Sequence, residues 1–92
     1  MLNGANGPIE SRTAPAGSAV VWARQGRIEA GKGELPDALR CFRRSLEIDM
    51  DYLPAWVGLS VVFDRMRDRR RSESCLEIAC RILRRAVGEA TA

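Results

Sequence analysis

The sequence predicts an all-α protein built from two antiparallel helix-turn-helix units. From residue 19 onward, apolar residues recur at helical spacing, and proline and glycine interrupt that spacing mainly near the expected helix ends. The hydrophobic fraction of 46% and the charged fraction of 29% are those of an ordinary globular domain, and 92 residues form one domain at most. The helices are predicted over residues 19–31, 36–49, 53–66 and 70–87.

Each predicted boundary has a local cause. Gly31 and Gly33 end the first helix, because glycine suits a helix stop that is followed by a tight turn. Pro36 fits the first turn of the second helix. Asp51 is the predicted N-cap of the third helix, before Pro54 in its first turn. The charged run over residues 67–72 is predicted to form the turn before the last helix.

The two ends of the chain are predicted to lie outside the helical domain, which spans residues 18–88. Residues 1–17 are rich in glycine and proline, so burial of apolar surface cannot offset the entropy of ordering them. We therefore predict a disordered N-terminal tail, and a disordered C-terminus over residues 89–92. The N-terminus lacks the basic and apolar regions of a secretory signal, so the expected location is cytoplasmic.

An internal repeat with a period of about 34 residues organises the helical part of the chain. The shift that places Trp22 over Trp56, the only two tryptophans, also places Cys41 over Cys75. Apolar residues coincide in three further pairs: Phe42 with Leu76, Leu46 with Cys80, and Ile48 with Ile82. The two repeats are predicted over residues 19–52 and 53–86.

The motifs within these repeats resemble tetratricopeptide repeats. The first repeat carries the resemblance at Trp22, Gly26, Gly33, Ala38, Phe42 and the run Ser45–Asp49. The second carries it at Leu53, Pro54, Ala55, Trp56, Leu59, Phe63, Asp68 and Ala79. The second repeat departs from the family pattern at Ser60, Arg67 and Ser72. The resemblance implies two repeats stacked as a short right-handed α-solenoid, with an extended last helix.

The resemblance also implies a protein-interaction adaptor. In tetratricopeptide repeats, the first helix of each pair lines a concave groove that binds peptides. By that resemblance, the groove residues here would be Val20, Arg24, Arg27, Val57, Val61 and Arg65. An apolar strip flanked by arginines suits an extended or helical peptide with acidic and aliphatic side chains. The alternative interpretation is that Val57 and Val61 belong to the core.

The last predicted helix has a wider apolar face than one neighbouring helix covers. At about 100° per residue its apolar side chains span about 200°, where one covered face needs little more than about 100°. We therefore expect a homo-oligomer, a dimer first of all, or a docked partner protein. The predicted partner face comprises Cys75, Ile78, Ile82 and Leu83. A broad core stripe in a small domain is the alternative.

The composition argues against catalysis and against a bound metal. The chain has no histidine, which excludes Ser–His–Asp and Cys–His catalysis and most zinc sites. Cys75 and Cys80 would point about 140° apart on a helix, too far to share a metal ion. No apolar run reaches the roughly 18 residues of a transmembrane helix. We predict no enzyme activity, no metal site, no cofactor and no membrane partner.

Nucleic-acid binding is the alternative function. The net charge is +3, and the segment Arg65–Arg71 is the most basic part of the chain. Aromatic side chains that could stack on bases are missing from that segment, and nearby acidic residues neutralise part of its charge. A nucleic acid is therefore a less favoured partner than a protein. A third possibility is a structural subunit whose only partner is itself or one larger protein.

Overall fold

Four α-helices account for most of the residues that the computed structural model describes, which are residues 18–91. They are α1 (Ala19–Gly31), α2 (Leu35–Ile48), α3 (Leu53–Arg65) and α4 (Arg69–Thr91). No strand occurs among these residues, which confirms the all-α class. The tail predicted over residues 1–17 lies outside the described part of the chain.

The helices pack as two antiparallel pairs, α1 with α2 and α3 with α4, and both α1 and α2 also contact α3. Each pair has one buried serine that forms a hydrogen bond between its two helices. The Ser45 hydroxyl, late in α2, donates a hydrogen bond of 2.7 Å to the carbonyl oxygen of Ala19 at the start of α1. The Ser72 hydroxyl, early in α4, donates one of 2.9 Å to the carbonyl oxygen of Ser60 in α3. Each bond satisfies a hydroxyl that is buried away from water, and it fixes the register of the pair.

The turns within the two pairs have the same backbone hydrogen bonds at equivalent positions of the repeat. In the first turn the amides of Gly33 and Glu34 donate to the carbonyls of Ala30 and Glu29, over 3.0 and 2.9 Å. The four equivalent residues of the second turn form the same two bonds at the same lengths. This is the Schellman motif, in which one residue takes the left-handed conformation. Gly33 takes it with a φ of 82°, and Arg67 takes it with a φ of 65°.

The ring of Phe42, which projects from α2, lies at the centre of the core. Gly26 of α1 and Gly58 of α3 lie against this ring. A Cβ atom on Gly26 would come within 2.8 Å of a ring carbon, and one on Gly58 would overlap the ring. Two glycines therefore allow α1 and α3 to approach the same aromatic side chain. The surrounding core residues are Ala23, Ala38, Leu46, Ala55, Leu59, Val62, Phe63 and Cys75.

The helix α4 is much longer than its partner, with 23 residues against 13 in α3. At ~1.5 Å per residue its C-terminal part extends ~15 Å past the start of α3. The structure differs here from the disordered C-terminus predicted over residues 89–92, because the helix continues to Thr91. A single glycine, Gly88, lowers helix stability by only about 1 kcal/mol and does not stop a long helix. An ion pair of 3.4 Å joins Arg85 to Asp51 in the loop between α2 and α3.

The N-terminus of α3 differs by one residue from the prediction. Tyr52, not Asp51, is the N-cap residue, and its side chain forms no capping hydrogen bond. The Asp49 carboxylate instead accepts a hydrogen bond of 3.0 Å from the Asp51 amide. Trp56 also stabilises this loop, since its indole N–H donates a hydrogen bond of 2.8 Å to the carbonyl oxygen of Met50.

Candidate functional site

A groove of about 490 Å³ runs between α1 and α3. Gly58 and the Phe42 ring, which is only 1% exposed, lie at its base. The ring lies directly below the groove because the two glycines beside it leave room for it. The remaining lining residues are Arg27, Ala30, Gly31, Leu53, Pro54, Val57, Val61 and Arg65. The groove is therefore mostly apolar and has two arginines in its lining.

A second depression of about 220 Å³ continues the groove toward the start of α1. Val20 and Arg24 line it, and Arg27 and Pro54 border both depressions. The six predicted groove residues thus lie along one surface of α1 and α3. Four of them line the larger groove, and Val20 and Arg24 line its continuation.

The two valines of α3 are surface residues. Val57 is 42% exposed and Val61 is 45% exposed, so the alternative interpretation of both as core residues is wrong. Their neighbours Leu59 and Val62 take the buried side of α3. The two exposed β-branched side chains, next to a buried aromatic ring, form an apolar strip whose contact with water is unfavourable.

Arg65 is held in place at one end of the groove. Its guanidinium donates a hydrogen bond of 2.9 Å to the carbonyl oxygen of Ala30, in the last turn of α1. A cation is favoured there, because the last carbonyls of a helix carry partial negative charge. The bond links the end of α3 to the end of α1 and limits the conformations of the guanidinium before any ligand arrives.

Arg24 and Arg27 are exposed on α1 and are available to a ligand. Within residues 18–89 neither forms an ion pair with a carboxylate. Together with Arg65 they make this surface positive. An arginine fork binds a carboxylate through two parallel hydrogen bonds, which a lysine cannot reproduce.

Sequence reasoning missed the residues at the base of the groove. Phe42 was noted only as a residue of the internal repeat, and its position below the groove followed only from the structure. One signal for it was present in the sequence. Gly58 lies inside a predicted helix and far from any turn, and such a glycine often marks a close approach of another element.

The predicted partner face on α4 is partly wrong. Cys75 is only 6% exposed and belongs to the core, so it cannot contact a partner. Ile78 and Ile82 are half-buried, and only Leu83 is exposed among the four predicted residues. The larger apolar residues exposed on this helix are Leu76, Cys80, Leu83 and Val87. The exposed face is therefore rotated by about 100° from the predicted one, because α3 covers the side that carries Cys75.

Two arginines of the basic segment are bound within the chain. Arg65 is held by Ala30, as described above. Arg71 forms an ion pair of 3.3 Å with Asp68, and its guanidinium lies 5.9 Å from the centre of the Phe63 ring. Both contacts are made near the surface, where water screens the remaining charge. These contacts within the chain do not favour nucleic-acid binding, which was the alternative function.

Comparison of the chain with protein-family models, with curated proteins and with solved structures finds no match. Among residues 18–91, no helix has both the length and the apolar content needed to cross a bilayer. In the same part of the chain, no three potential metal ligands of the Cys, Asp or Glu type cluster together. A functional assignment therefore depends on the groove and on α4.

Proposed function

We propose that this chain is a protein-interaction adaptor that binds a peptide segment of a partner protein in the groove between α1 and α3. The observation that carries the proposal is the combination, in one groove, of the exposed Val57 and Val61 with Arg27 and Arg65. A groove of ~300–1,000 Å³ with apolar walls and a few placed charges is typical of a ligand site.

The fold we assign is a stack of two tetratricopeptide-like repeats. Three features support it: the internal repeat of the sequence, the matching turns at Gly33 and Arg67, and the Phe42 ring between two glycines. In such a stack α1 and α3 lie side by side on the concave face. A groove between the first helices of the two repeats is where that family binds peptides.

The ligand we propose is a short segment with aliphatic and acidic side chains. An aliphatic side chain would cover Val57 and Val61 and remove them from water. A carboxylate of the peptide would bind the guanidinium of Arg27 or Arg65. Because Arg65 is already fixed by Ala30, little side-chain entropy is lost when it binds.

A selection experiment tests this proposal without knowledge of the partner. Random twelve-residue peptides displayed on phage are selected on the immobilised full chain and counter-selected on the Val61→Asp variant. We expect the enriched sequences to combine Leu or Ile with Asp or Glu. No enrichment over the Val61→Asp variant would contradict the proposal, as would enrichment of basic peptides.

The enriched peptides then allow a quantitative test by fluorescence polarisation. We expect Arg27→Glu to weaken binding about 10-fold or more, because it replaces a charge-assisted hydrogen bond by repulsion. Arg43→Glu is the matched control, since Arg43 is an exposed arginine on α2 that lies outside the groove. Equal effects of the two substitutions would mean that net charge, and not the groove, determines the affinity.

A further inference from the structure

The exposed apolar residues of α4 have the spacing of a coiled-coil seam. Leu76, Cys80, Leu83 and Val87 are separated by four, three and four residues, as alternating d and a positions are. Leu76 is 45% exposed and Leu83 is 52% exposed. A stripe of this kind runs along one side of a helix, and a second helix is the element that covers it.

In the first repeat, the equivalent apolar stripe is covered by another helix. Phe42 and Leu46 of α2 occupy the positions of the first repeat that are equivalent to Leu76 and Cys80. Both are buried among residues of α3, and Phe42 is only 1% exposed. Within the part of the chain that the structure describes, no helix covers the equivalent stripe of α4.

Charged residues beside the stripe are sorted by sign along the helix. Glu73 and Glu77 lie toward the N-terminal end, whereas Arg81 and Arg84 lie toward the C-terminal end. They line one shallow depression, together with Leu76 and Cys80. Within residues 18–89 none of these four charged side chains forms an ion pair. A surface that is acidic at one end and basic at the other complements itself only when the second copy runs in the opposite direction.

We propose that two copies of this chain pair through α4 as an antiparallel, two-fold symmetric helix pair. In this pair Cys80 packs beside Leu83 of the other copy, and Leu76 packs beside Val87. Glu77 of each copy then lies next to Arg84 of the other, so that two equivalent ion pairs flank the seam. Every contact occurs twice, as a two-fold axis requires.

The charges also select one register of this helix pair. Sliding one helix by one heptad toward one end would place Glu77 opposite Glu77, and sliding it toward the other end would place Arg84 opposite Arg84. In a parallel pair Glu77 and Arg84, both at e positions, would face Ser72 and Ala79 at g positions of the other helix, so neither ion pair could form. Opposite charges meet only in the antiparallel register given above.

Sedimentation equilibrium of the full chain tests the pairing. We expect a dimer whose dissociation constant rises about 100-fold or more in Leu83→Asp, because this substitution buries a charge in the seam. Val61→Asp is the matched control, since Val61 is also an exposed apolar residue in mid-helix but lies in the groove. A monomeric wild type, or an equal loss of dimer in both variants, would overturn the proposal. Circular dichroism establishes that each variant is folded.

The same two variants separate this proposal from the peptide-binding function. The groove and the α4 stripe share no residue, and neither proposal depends on the other. Leu83→Asp is expected to abolish the dimer and retain binding of the selected peptides. Val61→Asp is expected to lose peptide binding and retain the dimer.

Disulfide trapping tests the antiparallel register. A chain that carries Cys80 is mixed with a Cys80→Ser/Leu83→Cys chain under mild oxidation. The antiparallel seam brings Cys80 of one chain next to position 83 of the other, so mass spectrometry of the digest should find the mixed disulfide. Predominant disulfides between two identical chains would contradict the register.

Charge reversal provides a second test of orientation. Glu77→Arg alone is expected to weaken the dimer roughly 3–10-fold, because it faces Arg84 of the other copy. Adding Arg84→Glu in the same chain should restore the wild-type dissociation constant. No restoration by the second substitution would overturn the antiparallel register.

Discussion

The first helix pair buries residues that the second pair leaves exposed, although both pairs are closed by the same turn. Phe42 is among the most buried side chains of the chain, whereas Leu76, at the equivalent position, is largely accessible. The local conformation of the two pairs is alike, so the difference comes from what lies beside each pair. The α2 helix has α3 beside it, and α4 is the last helix that the structure describes.

A second difference concerns the small residues between the paired helices. Ser45 of the first pair corresponds to Ala79 of the second, and Ser72 of the second corresponds to Ala38 of the first. All four are buried. A serine can replace alanine in such a site when its hydroxyl reaches a carbonyl oxygen, and both serines do. The comparison explains why serine and alanine alternate at these two positions of the internal repeat.

The largest effect should come from removing the equivalent apolar side chains of the two pairs. Phe42→Ala is expected to lower the free energy of unfolding by about 3–5 kcal/mol, because it opens a cavity between three helices. Leu76→Ala is expected to cost less than about 1 kcal/mol in the monomer, since its side chain is exposed. Urea unfolding at low protein concentration measures both. Similar losses in the two variants would show that α4 is covered even in the monomer.

An intermediate effect is expected from substitution of the left-handed residue in each turn, Arg67 or Gly33. Arg67 takes a left-handed conformation that costs an ordinary residue about 1–2 kcal/mol, so Arg67→Gly should raise the free energy of unfolding by about 0.5–1 kcal/mol. Gly33→Ala should lower it by about 1 kcal/mol, although the space around Gly33 is open. Thermal unfolding of both variants beside the wild type measures these changes. A loss of stability in Arg67→Gly would show that the arginine side chain contributes more than its backbone costs.

The smallest effect concerns the equivalent cysteines of the two pairs. Burial raises the pKa of Cys41, with a further increase from the nearby Glu29, and burial also raises the pKa of Cys75. Since both thiols ionise more easily in the unfolded chain, their contribution to stability is complete below the unfolded-state pKa and is lost as the pH rises through the folded-state pKa. Urea unfolding between about pH 7.5 and about pH 10 should therefore show a smaller loss of stability in Cys41→Ala/Cys75→Ala than in the wild type. An identical pH dependence in the two chains would contradict this.

Local signals in the sequence were sufficient to predict the four helices. The helical periodicity and the glycine and proline positions predicted four helices, because these signals act within a few residues of each boundary. The six groove residues came instead from the resemblance to tetratricopeptide repeats, and they lie along one surface of α1 and α3. Only the helix predictions needed no knowledge of long-range packing.

The position of the exposed face on α4 could not be predicted in the same way. The apolar side chains of this helix, from Cys75 to Val87, cover more than half of its circumference, so the sequence does not indicate which part faces α3. That choice depends on contacts such as the hydrogen bond from Ser72 to Ser60, twelve residues away. The position of the Phe42 ring directly below the groove depends likewise on two glycines that lie on other helices, Gly26 and Gly58.

The short connections between helices determine how this domain should fold. Three residues join the helices of each pair and four residues join α2 to α3, so little chain entropy is lost in closing any loop. Each helical hairpin can therefore form rapidly, as in other proteins dominated by local contacts. Phe42 couples the two hairpins, because its ring lies against both α1 and α3. A chain without that ring is expected to unfold less cooperatively.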